Sequence, residues 1–122
     1  MSKEPISKIY LILEKIDYIE QIVEHCGSIT GALSDSITAR PAILMHLTAI
    51  AEQFNKLKQQ DAKKILSKFN DDDLKGMYDV RTYIAHDYEG VNLAIVEWII
   101  RNGLPKFKEQ SLDIIDKMES IK

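Results

Sequence analysis

Arg81, His86 and Tyr88, in the stretch RTYIAHDY, carry side chains able to do chemistry together. An arginine presents a planar, permanently charged fork that matches a phosphate. A histidine titrates near neutral pH and can take or give a proton. Together they offer much of what metal-free cleavage of RNA needs. A base removes the ribose 2′-hydroxyl proton, and that oxygen attacks the adjacent phosphate. A cation stabilises the charge growing on the phosphoryl oxygens. Only RNA carries the attacking hydroxyl. The competing reading is a helix end with a few polar residues.

Geometry constrains the idea. At about 100° per residue, side chains five apart on a helix point about 140° away from each other. Arg81 and His86 therefore do not share a face of a helix that runs straight through both. Two arrangements escape this. The helix could end near residue 85, freeing His86 and Tyr88 on a loop toward Gly90. Alternatively, a second subunit could bring its own copy across a two-fold axis, so that pairs of Arg and His line one cleft. Spacing alone leaves both open.

The elements that must position these residues read as helices throughout. After Pro5, the residues Ile6, Ile9, Ile12, Leu13, Ile16, Ile19, Ile22 and Val23 follow three- and four-residue spacing, predicting a helix from about 5 to about 25 that stops near Gly27. GSITGALSDS reads as a loop or broken turn. A second helix begins near Ser36 or Pro41 and carries Ile43, Leu44, Leu47, Ile50, Ala51, Phe54 and Leu57. A short third helix, about 60 to 68, holds Ala62, Ile65 and Leu66. Asn70 or Asp71 caps a fourth, whose buried row is Leu74, Met77, Val80 and Ile84. Gly90 breaks it. A last helix starts near Asn92 with Leu93, Ile95, Val96, Trp98, Ile99 and Ile100, is interrupted by Gly103 and Pro105, and continues through Phe107, Leu112, Ile115 and Met118. No strand signal appears, since the β-branched residues fall in helical spacing. The expected fold is all-α, an up-and-down bundle of four or five helices forming a single domain over 1–122.

Other chemistry-bearing residues read more simply. Asp71, Asp72 and Asp73 suit a helix start, where negative charge complements the dipole, better than a cation site. His25, Cys26 and His46 lack the spacing of a metal set, so Cys26 is expected as a buried thiol and His46 as a helix-face residue. Trp98 and its neighbours read as core or interface. No metal or cofactor is expected. The 122 residues are 45% apolar and 29% charged, with net charge −3. That balance argues against a broad basic face coating nucleic acid, but not against a site for one phosphodiester. A lone cysteine permits no intramolecular disulfide. With no apolar run of membrane-spanning length and a polar start, MSKEPISK, the chain reads as cytoplasmic.

The longer segment LKGMYDVRTYIAHDY, residues 74 to 88, resembles the signature of the HEPN superfamily (higher eukaryotes and prokaryotes nucleotide-binding), and most closely its HepT-like toxin branch. That branch carries R-x-x-x-x-H-x-Y after an apolar helix with a K-G-M-like step, here Lys75, Gly76 and Met77 leading to Arg81, His86 and Tyr88. The AIAEQF end of the second helix and the late LPKFKEQ segment are similar too. The resemblance implies a small helical homodimer acting as a metal-independent endoribonuclease, the toxin of a type VII-like toxin–antitoxin system. Arg81 would bind phosphate, His86 would transfer protons, and the paired motifs would meet at the dimer cleft. It also implies a partner, an MntA-like minimal nucleotidyltransferase antitoxin, which silences the toxin by adding AMP to Tyr88. Many active members have Asn, Asp or His immediately after the arginine. This chain has Thr82 as a supporting residue, which can still hydrogen-bond but with a different reach. The alternative is a non-catalytic HEPN module that binds nucleotide or RNA and pairs with a nucleotidyltransferase.

Overall fold

The computed structural model describes residues 3–60 and 62–120. It is all-α, with no strand among those residues: α1 (Lys3–Cys26), α2 (Ile29–Ser34), α3 (Ala39–Gln59), α4 (Lys63–Leu66), α5 (Asp71–His86), a 3-10 turn (Tyr88–Gly90), α6 (Leu93–Trp98), a π turn (Ile99–Gly103) and α7 (Leu104–Ser120). The long helices α1, α3, α5 and α7 form the bundle. Central α3 packs on α1 and α5, and α7 lies against α1. A 3.0 Å ion pair from Lys108 to Glu20 fixes the start of α7 beside the late turns of α1.

The expected apolar rows make the core. Ile9, Ile12, Ile16 and Ile19 of α1 are buried, as are Ile43, Leu44, Leu47, Ile50, Ala51, Phe54 and Leu57 of α3. Phe54 meets Phe69, which precedes α5, at 5.0 Å between ring centroids, and Phe107 of α7 at 5.1 Å. Helix ends follow local chemistry. Gly27 terminates α1 at φ +89°, a left-handed conformation that only glycine adopts without strain. Pro41 falls in the first turn of α3, where its missing N–H leaves no intrahelical bond unmade. Asn70 caps α5, its side-chain oxygen accepting the N–H groups of Asp72 and Asp73 at 2.8 and 3.1 Å.

Several expectations are corrected. GSITGALSDS is not all loop: Ser28 Oγ caps α2 by accepting the Gly31 N–H at 2.8 Å, and Ala32 and Leu33 bury themselves. The third helix is only the four residues of α4, and its expected start at 60–61 includes Asp61, which lies outside the described residues. Gly103 and Pro105 do not interrupt the last helix. The Leu104 N–H donates to the Ile99 carbonyl, and this wider turn keeps helical backbone angles, so α6 runs on into α7. Leu112 and Met118 are exposed, and the buried row of α7 is instead Leu104, Phe107, Ser111, Ile114 and Ile115. Trp98 is 55% exposed and so is not core. Cys26, the last residue of α1, is only half-buried, because it borders an open cavity between the end of α1 and the start of α3. No described helix is long and apolar enough to cross a membrane.

Two outcomes are expected. Phe54→Ala removes the ring shared by two aromatic contacts and should lower stability by about 3–5 kcal/mol, read from urea unfolding. Asp35 accepts the N–H groups of Ile37, Thr38 and Ala39 and the Thr38 hydroxyl at the entry to α3. The Thr38 hydroxyl first, then the Ala39 and Thr38 N–H groups, pull its carboxyl from 3.8 down to about 2. A depressed carboxylate stabilises the fold fully above its unfolded pKa, and that contribution disappears as pH falls through the folded value. Asp35→Asn, which cannot ionise, should flatten the fall in melting temperature on acidification from about 3.8 to about 2.

Candidate functional site

All three chemistry-bearing residues lie at one end of α5. Helix α5 continues through His86 and stops at Asp87, where the backbone leaves helical angles (φ −151°, ψ 79°). The Asp87 N–H still donates to the Tyr83 carbonyl at 2.9 Å. Its side chain turns forward and accepts the Gly90 N–H at 3.0 Å, closing the 3-10 turn that carries Tyr88. So one aspartate ends a helix and starts a turn. Tyr88 leaves the helix, whereas His86 remains its last residue.

That boundary decides the intrachain geometry. Arg81 and His86 both stay on one regular helix and so point about 140° apart. Arg81 leans toward α3, its Nη2 3.7 Å from a Glu52 carboxylate oxygen, with the two side chains 42% and 48% exposed. Such a half-solvated pair contributes at most about 1 kcal/mol. The Arg81 Nε–H is buried and makes no hydrogen bond among the described residues. His86 is exposed and lines a separate cavity of about 370 Å³ with Tyr83, Asp87, Gly90, Asn92 and Ile95. Neither Arg81 nor Tyr88 borders that cavity. Tyr88 is 40% exposed. Thr82, also exposed, donates its hydroxyl back to the Tyr78 carbonyl at 3.0 Å, within its own helix.

Residues 12–114 match the family described as HepT-like, "Ribonuclease HepT-like". The chain belongs to the HepT-like family. No curated protein and no solved structure matches it. Membership carries an RNA-related enzymatic role in general terms, and with it the ribonuclease and toxin–antitoxin theme of the family name.

The remaining candidates of this HepT-like chain separate. Asp73 does more than complement a dipole: its carboxylate meets Lys106 of α7 at 2.9 Å. His25 and Cys26 border the cavity at the start of α3, while His46 packs elsewhere, on the Tyr18 ring at 5.4 Å between centroids. Burial, and secondarily Lys15, push the His46 imidazole below its usual range. No group of three or more His, Cys, Asp or Glu among the described residues is placed to hold a metal ion. Sequence reasoning missed Glu52 and Tyr83. Glu52 stands in the AIAEQF segment that resembles the family, yet nothing in its spacing announces contact with Arg81. Tyr83 lies inside RTYIAHDY and is 56% exposed.

The turn at Asp87 is directly testable. A Cβ at Gly90 would collide with the Asp87 carboxylate, which is the far end of a flexible side chain and can swing away. Gly90→Ala should therefore lose the Asp87 cap without losing the fold, at a cost of about 1 kcal/mol. Asp87→Ala should cost a similar amount. In the double variant the two losses should not add, because both remove the same hydrogen bond, and urea unfolding of the four proteins measures the difference.

Proposed function

We propose that this HepT-like protein is a metal-independent endoribonuclease, the toxin of a type VII-like toxin–antitoxin pair, working as a homodimer. The observation that carries the reading is a family match over residues 12–114 that includes Arg81 and His86 in the last turns of α5 and Tyr88 in the turn that follows it. Because α5 keeps Arg81 and His86 on different faces, one chain does not aim both at the same phosphate. A two-fold partner supplies the second copy of each, so an arginine and a histidine can face a shared phosphodiester.

In this mechanism one His86 takes the 2′-hydroxyl proton. The 2′-oxygen attacks phosphorus, the bond from phosphorus to the 5′-oxygen breaks, and the departing oxygen takes a proton from the second His86 or from water. The products are a 2′,3′-cyclic phosphate and a 5′-hydroxyl. The Arg81 guanidinium binds the non-bridging oxygens as their charge grows. A minimal nucleotidyltransferase silences the site. The Tyr88 phenol oxygen attacks the α-phosphorus of its ATP, pyrophosphate leaves, and the phenol proton passes to solvent. The attached AMP then obstructs RNA and presents a negative phosphate to Arg81.

One observation favours the alternative, a non-catalytic RNA- or nucleotide-binding module that pairs with the nucleotidyltransferase. The Thr82 hydroxyl is bonded within its own helix, so the position after the arginine offers no free proton to an acceptor. The test is incubation of the purified protein with cellular RNA. Wild type should cut in the presence of a chelator and leave 2′,3′-cyclic phosphate ends. His86→Ala should abolish turnover, and Arg81→Lys should lower it at least about a hundredfold, since a point charge cannot reproduce the two-pronged contact. Tyr88→Phe should keep activity and escape AMP addition on co-expression, as read by mass spectrometry. Wild type that binds RNA without cutting it supports the alternative, and cleavage that depends on added magnesium overturns the metal-free mechanism.

A further inference from the structure

The cavity beside His86 has a composition that phosphate chemistry does not use. One wall is the half-exposed ring of Tyr83, and Ile95, 42% exposed, supplies apolar surface. Asn92 and Asp87 add polar groups whose other atoms are already engaged. The Asn92 Oδ1 caps α6 by accepting the Ala94 N–H at 2.9 Å, which leaves its amide NH2 as a spare donor. Asp87 Oδ1 accepts the Gly90 N–H, which leaves Oδ2 as an acceptor. A flat aromatic face, an aliphatic side chain, one donor and one acceptor are the chemistry that holds a nucleobase. Bases stack on tyrosine, and their edges carry both acceptors and donors. At about 370 Å³ the cavity falls in the range of small-molecule sites.

We infer that Tyr83, Ile95, Asn92 and Asp87 form a subsite for one unpaired nucleobase next to the phosphodiester addressed by His86. The inference rests on the ribonuclease reading and adds to it. His86 lines the same cavity, so a base seated on Tyr83 brings its own ribose to the proton-transfer residue. Bases in a duplex are stacked and paired, and cannot enter. The single −NH2 of Asn92 beside the Asp87 carboxylate gives the subsite a means to discriminate between bases.

Tyr83 and Asn92 allow separate tests. The probe is a short fluorescein-labelled single-stranded 2′-O-methyl oligonucleotide, which lacks the attacking hydroxyl and stays intact, together with the duplex of the same sequence. Fluorescence anisotropy should show Tyr83→Ala binding the single strand roughly 5- to 100-fold more weakly, the worth of one stacked base. The same variant should bind the duplex as wild type does. Tyr83→Phe keeps the ring and should restore most of the affinity. Asn92→Asp preserves the helix cap, since aspartate caps as well as asparagine, but replaces the donor with an acceptor. It should reorder affinity among the four homopolymers. Three results overturn the subsite: Tyr83→Ala binding the single strand as tightly as wild type, an equal loss toward the duplex, or a loss that accompanies dissociation of the dimer in light scattering. The last would make Tyr83 a subunit contact. If wild type cuts RNA through His86 while Tyr83→Ala binds and cuts unchanged, only the base subsite falls. If wild type neither binds the oligonucleotide nor cuts RNA, the ribonuclease reading falls and takes the subsite with it.

Discussion

The ring of Phe54 sets where everything else goes. It stands fully buried on the central helix and touches two other rings, Phe69 just before α5 and Phe107 early in α7. Phe69 is followed at once by the Asn70 cap, so the aromatic contact fixes both the place and the direction in which α5 begins. From there α5 is a rod. At 1.5 Å per residue its last residue lies about 22 Å beyond its first. The end of the helix that carries the candidate residues is thus placed by packing that starts far from it and continues to Val80 and Ile84. The His86 side chain there stays in solvent and that of Arg81 only partly, while their backbone is anchored on the core side of α5.

A regular helix is also a constraint on chemistry. It fixes angles between side chains as firmly as it fixes distances along its axis. Between Arg81 and His86 that angle is unfavourable for one phosphate, and the chain does not correct it locally: the helix stays regular through His86 and yields only at Asp87. Arg81 is drawn to the seam with α3 and His86 to the hollow formed with the turn and α6. The polypeptide presents two separate surfaces rather than one shared by both side chains, which is why the proposed mechanism calls on a second copy.

Much of this was legible before any coordinates. The row from Ile43 to Leu57 and the row Leu74, Met77, Val80 were readable because a buried helix face leaves a three- and four-residue period in the sequence. The Asn70 cap and the stop at Gly27 have fixed local chemistry. What escaped was structure with weak or misleading local signals. α2 hides among glycines and serines, because two buried residues and one serine cap suffice to hold six residues in place. Gly103 and Pro105 look like a break, yet the wider turn carries the helix through them. Leu112 and Met118 keep the helical period but lie off the buried side. At the site, the residue types were readable and the neighbours were not. Glu52 beside Arg81, and Asn92 and Ile95 around His86, are meetings between separate segments, and only the packing of α3 and the turn at Asp87 create them.

In the proposed mechanism the carboxylate of Glu52 is a built-in rival of phosphate for Arg81. Being tethered, it is present at a high effective concentration whatever surrounds the protein. A free inorganic phosphate would have to displace it with nothing else in its favour. A phosphodiester within a polymer arrives with neighbouring nucleotides already bound, and so enjoys a tether of its own. In the proposed mechanism the acidic partner of Arg81 thereby weighs, by no more than about fivefold, against anions without such attachments, and a net charge of −3 offers little long-range attraction to either kind.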